Sequence, residues 1–322
     1  MQRRLLSFPN YDKLSPGDER MMRKKLQGSI LLLLTTIIWG FGFIAQSVGM
    51  DTIGPFTFQA IRCALAVIFL FLCTFVMERN PRESFAKWKN PELWKVGLIC
   101  GVALFVASSL QQLGLVYTDA GKAGFLTAMY IVWVPILGAF QGEKLPKTIL
   151  FSVVLAIIGL YLLSCTSVTG VNKGDLFLMG CAIAFSIQIR CIDRFAGNLD
   201  SLRLTCLEAL MTSVLSVPFM LLTETVDASV IVACWKPLCF AGILSMGVAY
   251  TCQVVGQKTL EPTTASLIMS MESVFAALGG WWLLHERMAP REVGGCVLVF
   301  AAVILSQLPA EIFLKKTQKT RS

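Results

Sequence analysis

Long apolar runs separated by short polar loops organise this chain. A helix needs about 20 mostly apolar residues to cross a bilayer. Ten runs meet that length: 28–50, 53–77, 93–116, 120–141, 147–166, 174–195, 202–223, 232–256, 262–284 and 291–310. The 202–223 run is the weakest, because it holds Arg203 and Glu208. The pattern predicts an all-α polytopic membrane protein. Its short connections leave no room for a soluble catalytic domain.

The pattern also repeats. Gln111, Gly114, Asp119 and Ala123 recur as Gln253, Gly256, Glu261 and Ala265 at an offset of 142, and Tyr130 and Lys144 align with Glu272 and Glu286. Nearer the start of each half the offset is 146, which pairs Gly28 with Gly174, Trp39 with Phe185 and Arg62 with Glu208. The chain then divides into a basic arm (1–27), a first five-helix half (28–166), a second (174–310) and a tail (311–322). Two related halves with an odd number of spans are expected to lie in the membrane in opposite orientations, as in many secondary transporters.

Composition sharpens this. The chain has 322 residues, 55% hydrophobic and 15% charged, against about a quarter charged for soluble proteins. Its mean hydropathy is +0.68. The net charge of +8 forms no stripe suited to nucleic acid. The basic residues gather in the N-terminal arm, in the loops holding Arg79, Arg82, Lys87 and Lys89 and then Lys144 and Lys147, and in the C-terminal tail. That bias places both termini in the cytoplasm, with the protein in the cell membrane. The arm is longer than the head of a signal peptide and the run after it long enough to span, so the first run is a retained helix. Most of the eleven cysteines fall inside apolar runs without a CxxC pair and are expected to be packing residues. There is no Walker motif, no HExxH and no nucleophile paired with a base. Neither an enzyme nor a cofactor is expected.

Certain residues carry a resemblance. The first run holds Trp39-Gly40 and then Phe43, the second a single arginine, Arg62, and the fourth Ala123-Gly124-Phe125-Leu126 and then Pro135. The sixth opens with Gly174-Asp175, and the ninth reads Ala265-Ser266-Leu267, then Glu272-Ser273-Val274-Phe275, closing with His285-Glu286-Arg287. The chain resembles the EamA family of the drug/metabolite transporter superfamily. The family usually has Pro where this chain has Ser273. The resemblance implies two inverted five-helix repeats and a cavity lined mainly by the first, third, fourth, sixth, eighth and ninth helices. It also implies alternating access by rocking.

Polar groups at bilayer depth are the candidates for chemistry, because each charge there costs about 2.5–3.5 kcal/mol to insert. Arg62 either contacts a substrate carboxylate or forms a structural ion pair. Glu272 either binds a cation or proton or braces the repeats. Glu208 is expected near the headgroups or paired with Arg203. Gln111 and Gln253 offer donors and an acceptor without charge, with Tyr250 on the face of Gln253 and Gln188 a weaker candidate. Trp39 and Tyr130 fall on helices that the resemblance places around the centre, whereas Trp281 and Trp282 are expected to be interface anchors. The substrate-binding set is therefore Trp39, Arg62, Gln111, Tyr130, Tyr250, Gln253 and Glu272, with no metal ligands.

The expected function is export of amino acids or similar zwitterionic or amphipathic metabolites. The alternative is transport of cationic or aromatic drug-like compounds, with a lipid scramblase or channel a remote third. A cavity containing Arg62 favours an anionic group on the substrate; a cavity with Glu272 and Trp39 but with Arg62 paired away favours a cation. The expected partners are a small-molecule substrate and membrane lipids, without nucleic acid. A proton or other coupling ion and a homodimer are left open.

Overall fold

The computed structural model describes residues 16–78, 80–118, 120–164, 172–283, 285 and 287–307. Every regular element among them is helical. The first half contains α1 (Pro16–Met50), α2 (Pro55–Met77), α3 (Pro81–Trp88), α4 (Pro91–Tyr117), α5 (Ala120–Ala128), α6 (Tyr130–Phe140) and α7 (Lys147–Ser164). The second contains α8 (Lys173–Phe195), α9 (Ser201–Thr223), α10 (Ala228–Ala233), α11 (Trp235–Cys239), a π-helical segment (Phe240–Ala249), α12 (Tyr250–Gln257), α13 (Pro262–Met269), α14 (Glu272–Leu283) and α15 (Pro290–Gln307).

Nine apolar helical stretches among the described residues are long enough to cross a membrane, and the fifth expected span, Lys147–Leu163, is shorter. The chain is an all-α polytopic membrane protein. The run at 202–223 forms the continuous helix α9, and its Arg203 sits in the first turn. Helix α1 begins inside the stretch read as an arm, where Pro16 starts it and Asp18 and Glu19 favour its positive end. Asp119, Glu286 and the tail 311–322 lie outside the described residues.

Local chemistry sets the helix starts. Proline opens α2, α3, α4 and α13, where its missing N–H costs nothing. Asn80, Asn90 and Asp200 accept hydrogen bonds from the first turns they precede. Asn172 and Asp175 form a reciprocal capping box on α8.

Packing between the halves is reciprocal. Helix α1 packs on α12, α13 and α14, and α8 packs on α4, α5 and α6; α2 pairs with α9, and α7 with α15. Exchanging the halves leaves these pairings unchanged. The crossings agree at residue level. A Cβ at Gly28 would collide with the Thr259 hydroxyl and the Gly256 carbonyl. One at Gly174 would collide with the Thr118 hydroxyl and the Gly114 carbonyl. At the pairing of α7 with α15, Gly159 and Gly295 meet backbone to backbone: a Cβ on Gly295 would lie 2.5 Å from the Gly159 carbonyl oxygen.

The α2–α9 pair is clasped at both ends by equivalent glutamates. Glu78 caps the C-terminus of α2 and accepts from Arg203 Nη1 and Nη2 at 3.1 and 2.7 Å. Glu224 caps the C-terminus of α9 and accepts from the Phe56 and Thr57 amides at 2.8 and 2.7 Å and from Thr57 Oγ1 at 2.6 Å. Glu78 to Glu224 and Thr57 to Arg203 are both steps of 146. The Glu224 carboxylate fills the space that a side chain at Gly54 would need.

One irregularity separates the halves. Trp94-Lys95 and Gly101 in α4 match Trp235-Lys236 and Gly242 at an offset of 141, whereas Gln111 and Gly114 match Gln253 and Gly256 at 142. The extra residue falls between Gly242 and Gln253, an interval that overlaps the π-helical segment. A π-helix absorbs a single inserted residue without breaking its helix.

Candidate functional site

Two broken spans build the centre. Helix α5 ends at Ala128 and α6 restarts at Tyr130; α13 ends at Met269 and α14 restarts at Glu272. The second break occurs although Ser273 stands where a proline was expected. Ser273 Oγ donates to the Gly124 carbonyl at 3.0 Å and ties the two broken spans together. Pro135 lies inside α6, and the break in that span is at Met129 instead. Across the breaks, Tyr130 Oη donates to Glu272 Oε1 at 3.2 Å. These two residues are repeat counterparts, so the two halves touch here at equivalent positions.

All seven residues of the expected set line one cavity here: Trp39, Arg62, Gln111, Tyr130, Tyr250, Gln253 and Glu272. Its lining comes from the six expected spans and from α2, which contributes Arg62. The walls repeat as the sequence does. Trp39 faces the space with its counterpart Phe185, Gln111 with Gln253, and Tyr130 with Glu272. Phe43, quoted for the resemblance but not in the expected set, and Ile189, which gave no signal, are also counterparts at 146. The interior is about 30 Å³, room for roughly two waters.

Arg62 is buried yet forms no ion pair among the described residues. Its Nη1 donates to Gln46 Oε1 at 3.0 Å, an oxygen that also accepts from Gln112 Nε2 at 2.6 Å. Its guanidinium lies 5.9 Å from the centre of the Phe58 ring, and its Nε has no hydrogen-bond partner. Gln46 was missed, although a lone amide inside the first apolar run was the available signal. Ser245 gave no signal, because the π-helical turn sets its direction. The Trp39 and Tyr250 rings lie 4.7 Å apart at 55°. The Trp39 indole N–H and Gln253 Oε1 are buried without partners.

Glu208 corrects the sequence reading. It is fully buried and accepts from Gln188 Nε2 at 3.2 Å. Arg203 turns instead to Glu78, Asp200 and Ser84. Five residues of α-helix rotate by about 140°, so Arg203 and Glu208 occupy different faces of α9. Gln188 also accepts from Gln253 Nε2 at 3.3 Å and stands behind the cavity wall. Trp281 and Trp282 are exposed on the outer surface. Gly97 and Gly101 serve packing: a Cβ on either would strike Leu207 or Met211 of α9. The described cysteines are unbridged.

The description EamA-like transporter family matches the chain twice, over residues 26–165 and 172–308. A protein of Archaeoglobus fulgidus described as an uncharacterized transporter is 30% identical over 289 residues, 88% of this chain and 87% of its own length. The threonine/homoserine exporter RhtA of Escherichia coli K12 is 26% identical over 315 residues, 95% of this chain and 98% of that protein. A solved crystal structure shares the fold, with a TM-score of 0.74 at 17% identity over 89% of this chain and 98% of the other.

Proposed function

Because this chain belongs to the EamA-like transporter family, an integral membrane family of carriers and not of enzymes, we propose that it exports small zwitterionic metabolites, amino acids foremost, by alternating access. The observation that carries this reading is a cavity holding a guanidinium without an ion pair and a carboxyl group from the opposite half, Arg62 and Glu272. A guanidinium grips a substrate carboxylate in a forked geometry. Glu272 and the free Gln253 oxygen suit an ammonium group. Trp39 and Tyr250 supply apolar walls for the remainder. A cation without a carboxylate is disfavoured by Arg62 on the same space, which places drug-like cations second. The likeness to a threonine/homoserine exporter supports the amino-acid reading.

The moving parts are the α2–α9 and α7–α15 pairs, each built from one helix of either half. The reciprocal packing of the halves fits opposite orientations in the membrane, with both termini cytoplasmic. An interior that admits about two waters is too small for an amino acid, so the α2–α9 and α7–α15 pairs shift against each other when substrate enters. Proteoliposome counterflow with labelled L-threonine and L-homoserine tests the proposal. Saturable exchange that is lost in Arg62→Met supports it; leak that never saturates, or exchange unchanged by that substitution, overturns it.

A further inference from the structure

Each half carries a charge tied to two amides on corresponding helices. In the first, Arg62 of α2 contacts Gln46 of α1, which contacts Gln112 of α4. In the second, Glu208 of α9 contacts Gln188 of α8, which contacts Gln253 of α12. The second chain has a fixed polarity. A carboxylate only accepts, so Gln188 must turn its NH₂ to Glu208. Its oxygen then faces Gln253, which must donate in turn and leave its own oxygen unpartnered at the cavity wall. The other carboxylate oxygen, Glu208 Oε2, is buried without a partner.

We propose that Glu208 is a proton-accepting site that sets which end of the Gln253 amide meets the substrate. When a proton arrives from water, an O–H bond forms on the carboxyl group and no other covalent bond changes. The protonated group can then donate to Gln188. That amide flips to present its oxygen to Glu208 and its NH₂ to Gln253, and Gln253 flips to turn its NH₂ toward the cavity. An acceptor suited to an ammonium group is thereby replaced by a donor that repels it. Proton loss to water restores the first arrangement. Proton and zwitterion thus exclude each other, the condition for exchanging one for the other across a membrane. This last consequence rests on the amino-acid reading; the proton site does not.

The surroundings leave the role to Glu208. The described ionisable groups near it are Cys100 from α4, Cys191 from α8 and Tyr250 from α12. Helix α2 brings Arg62, held by Gln46, and Cys63; the π-helical segment brings none. On α9 itself, Arg203 is committed to Glu78. No cation pairs with Glu208 among the described residues. A lone buried carboxylate is costly to keep charged, so a proton is the compact ligand that fits the space.

Infrared difference spectroscopy between acid and alkaline pH, on the full chain in liposomes, tests the site without any substrate. The expected result is a protonated-carboxyl C=O band that vanishes in Glu208→Gln, persists in Glu272→Gln and shifts in Gln188→Met. Spectra of Glu208→Gln and Gln188→Met that both match wild type overturn the proposal. Gln188→Met keeps the test open if Glu208→Gln does not fold. A band that behaves as expected in a protein that exchanges neither L-threonine nor L-homoserine leaves the proton site standing and removes the amino-acid reading. With exchange present, acidification slows it in wild type, and Glu208→Gln flattens that dependence; an unchanged dependence overturns the coupling.

Discussion

Arg62 and Glu208 stand at equivalent places in the two halves, yet only Arg62 reaches the cavity. Arg62 projects past Gln46 to the central space, while Glu208 stops behind Gln188 and Gln253. The same pair of spans, α2 and α9, thus carries a group that lines the cavity on one side and a group set behind its wall on the other. Opposite charges at one repeated position break the likeness of the two halves, and on the proposed function they give the halves different duties. The π-helical segment adds to the asymmetry. Among the described residues it occurs only in the second half, where it carries Ser245 and leads into Tyr250, both of which line the cavity.

The largest expected effect separates the two charges. On the proposed function, Arg62→Met removes a buried charge–charge contact with substrate, a loss of about 3 kcal/mol or more, roughly 100-fold in exchange of L-threonine. Folded yield should hold, because the wild-type guanidinium has no ion pair to break. Deleting Leu244, an exposed residue of the π-helical segment, should rank next. The span then becomes a regular helix in register with α4, stability is kept and exchange is lost. Exchange at the wild-type rate would mean that the extra residue has no functional weight.

Glu272→Gln and Gln111→Ala should each slow exchange roughly tenfold, the scale of one hydrogen bond to a charged group, while lowering folded yield less. Normal flux from both would remove these two positions from the site.

The smallest effect contrasts the two clasps. The hydrogen bonds from Arg203, then from Lys87, hold the Glu78 carboxyl down from 4.5 to about 2. Its contribution to stability is present above the unfolded value near 4.5 and is lost as pH falls through about 2. Wild-type melting temperature should therefore drop across that window, and Glu78→Gln should flatten part of the drop. A window unchanged in Glu78→Gln would show that the Arg203 clasp contributes nothing.

Much of this was legible because membrane folding leaves strong marks. Apolar length marked nine long spans among the described residues and a shorter one at Lys147–Leu163, and the recurring offset of 142 drew attention to Gln111, Tyr130, Gln253 and Glu272. The place of Glu208 was not legible. Its position beside Arg203 in sequence suggested a pair, but helical rotation and the competing glutamate at position 78 separate them. The π-helical turn was hidden as well: one inserted residue changes no hydropathy, and it shows only as a shift in offset from 141 to 142. Ser245 depends on that turn, so no property of its own residue type could reveal it.

Equilibrium binding to the purified protein of L-threonine, its methyl ester and its N-acetyl form tests the central claim most directly. If Arg62 holds the carboxylate and the opposite half holds the ammonium, threonine binds and both derivatives bind far more weakly. In Arg62→Met the methyl ester should then lose nothing relative to threonine. A methyl ester that binds wild type as well as threonine does would contradict the account.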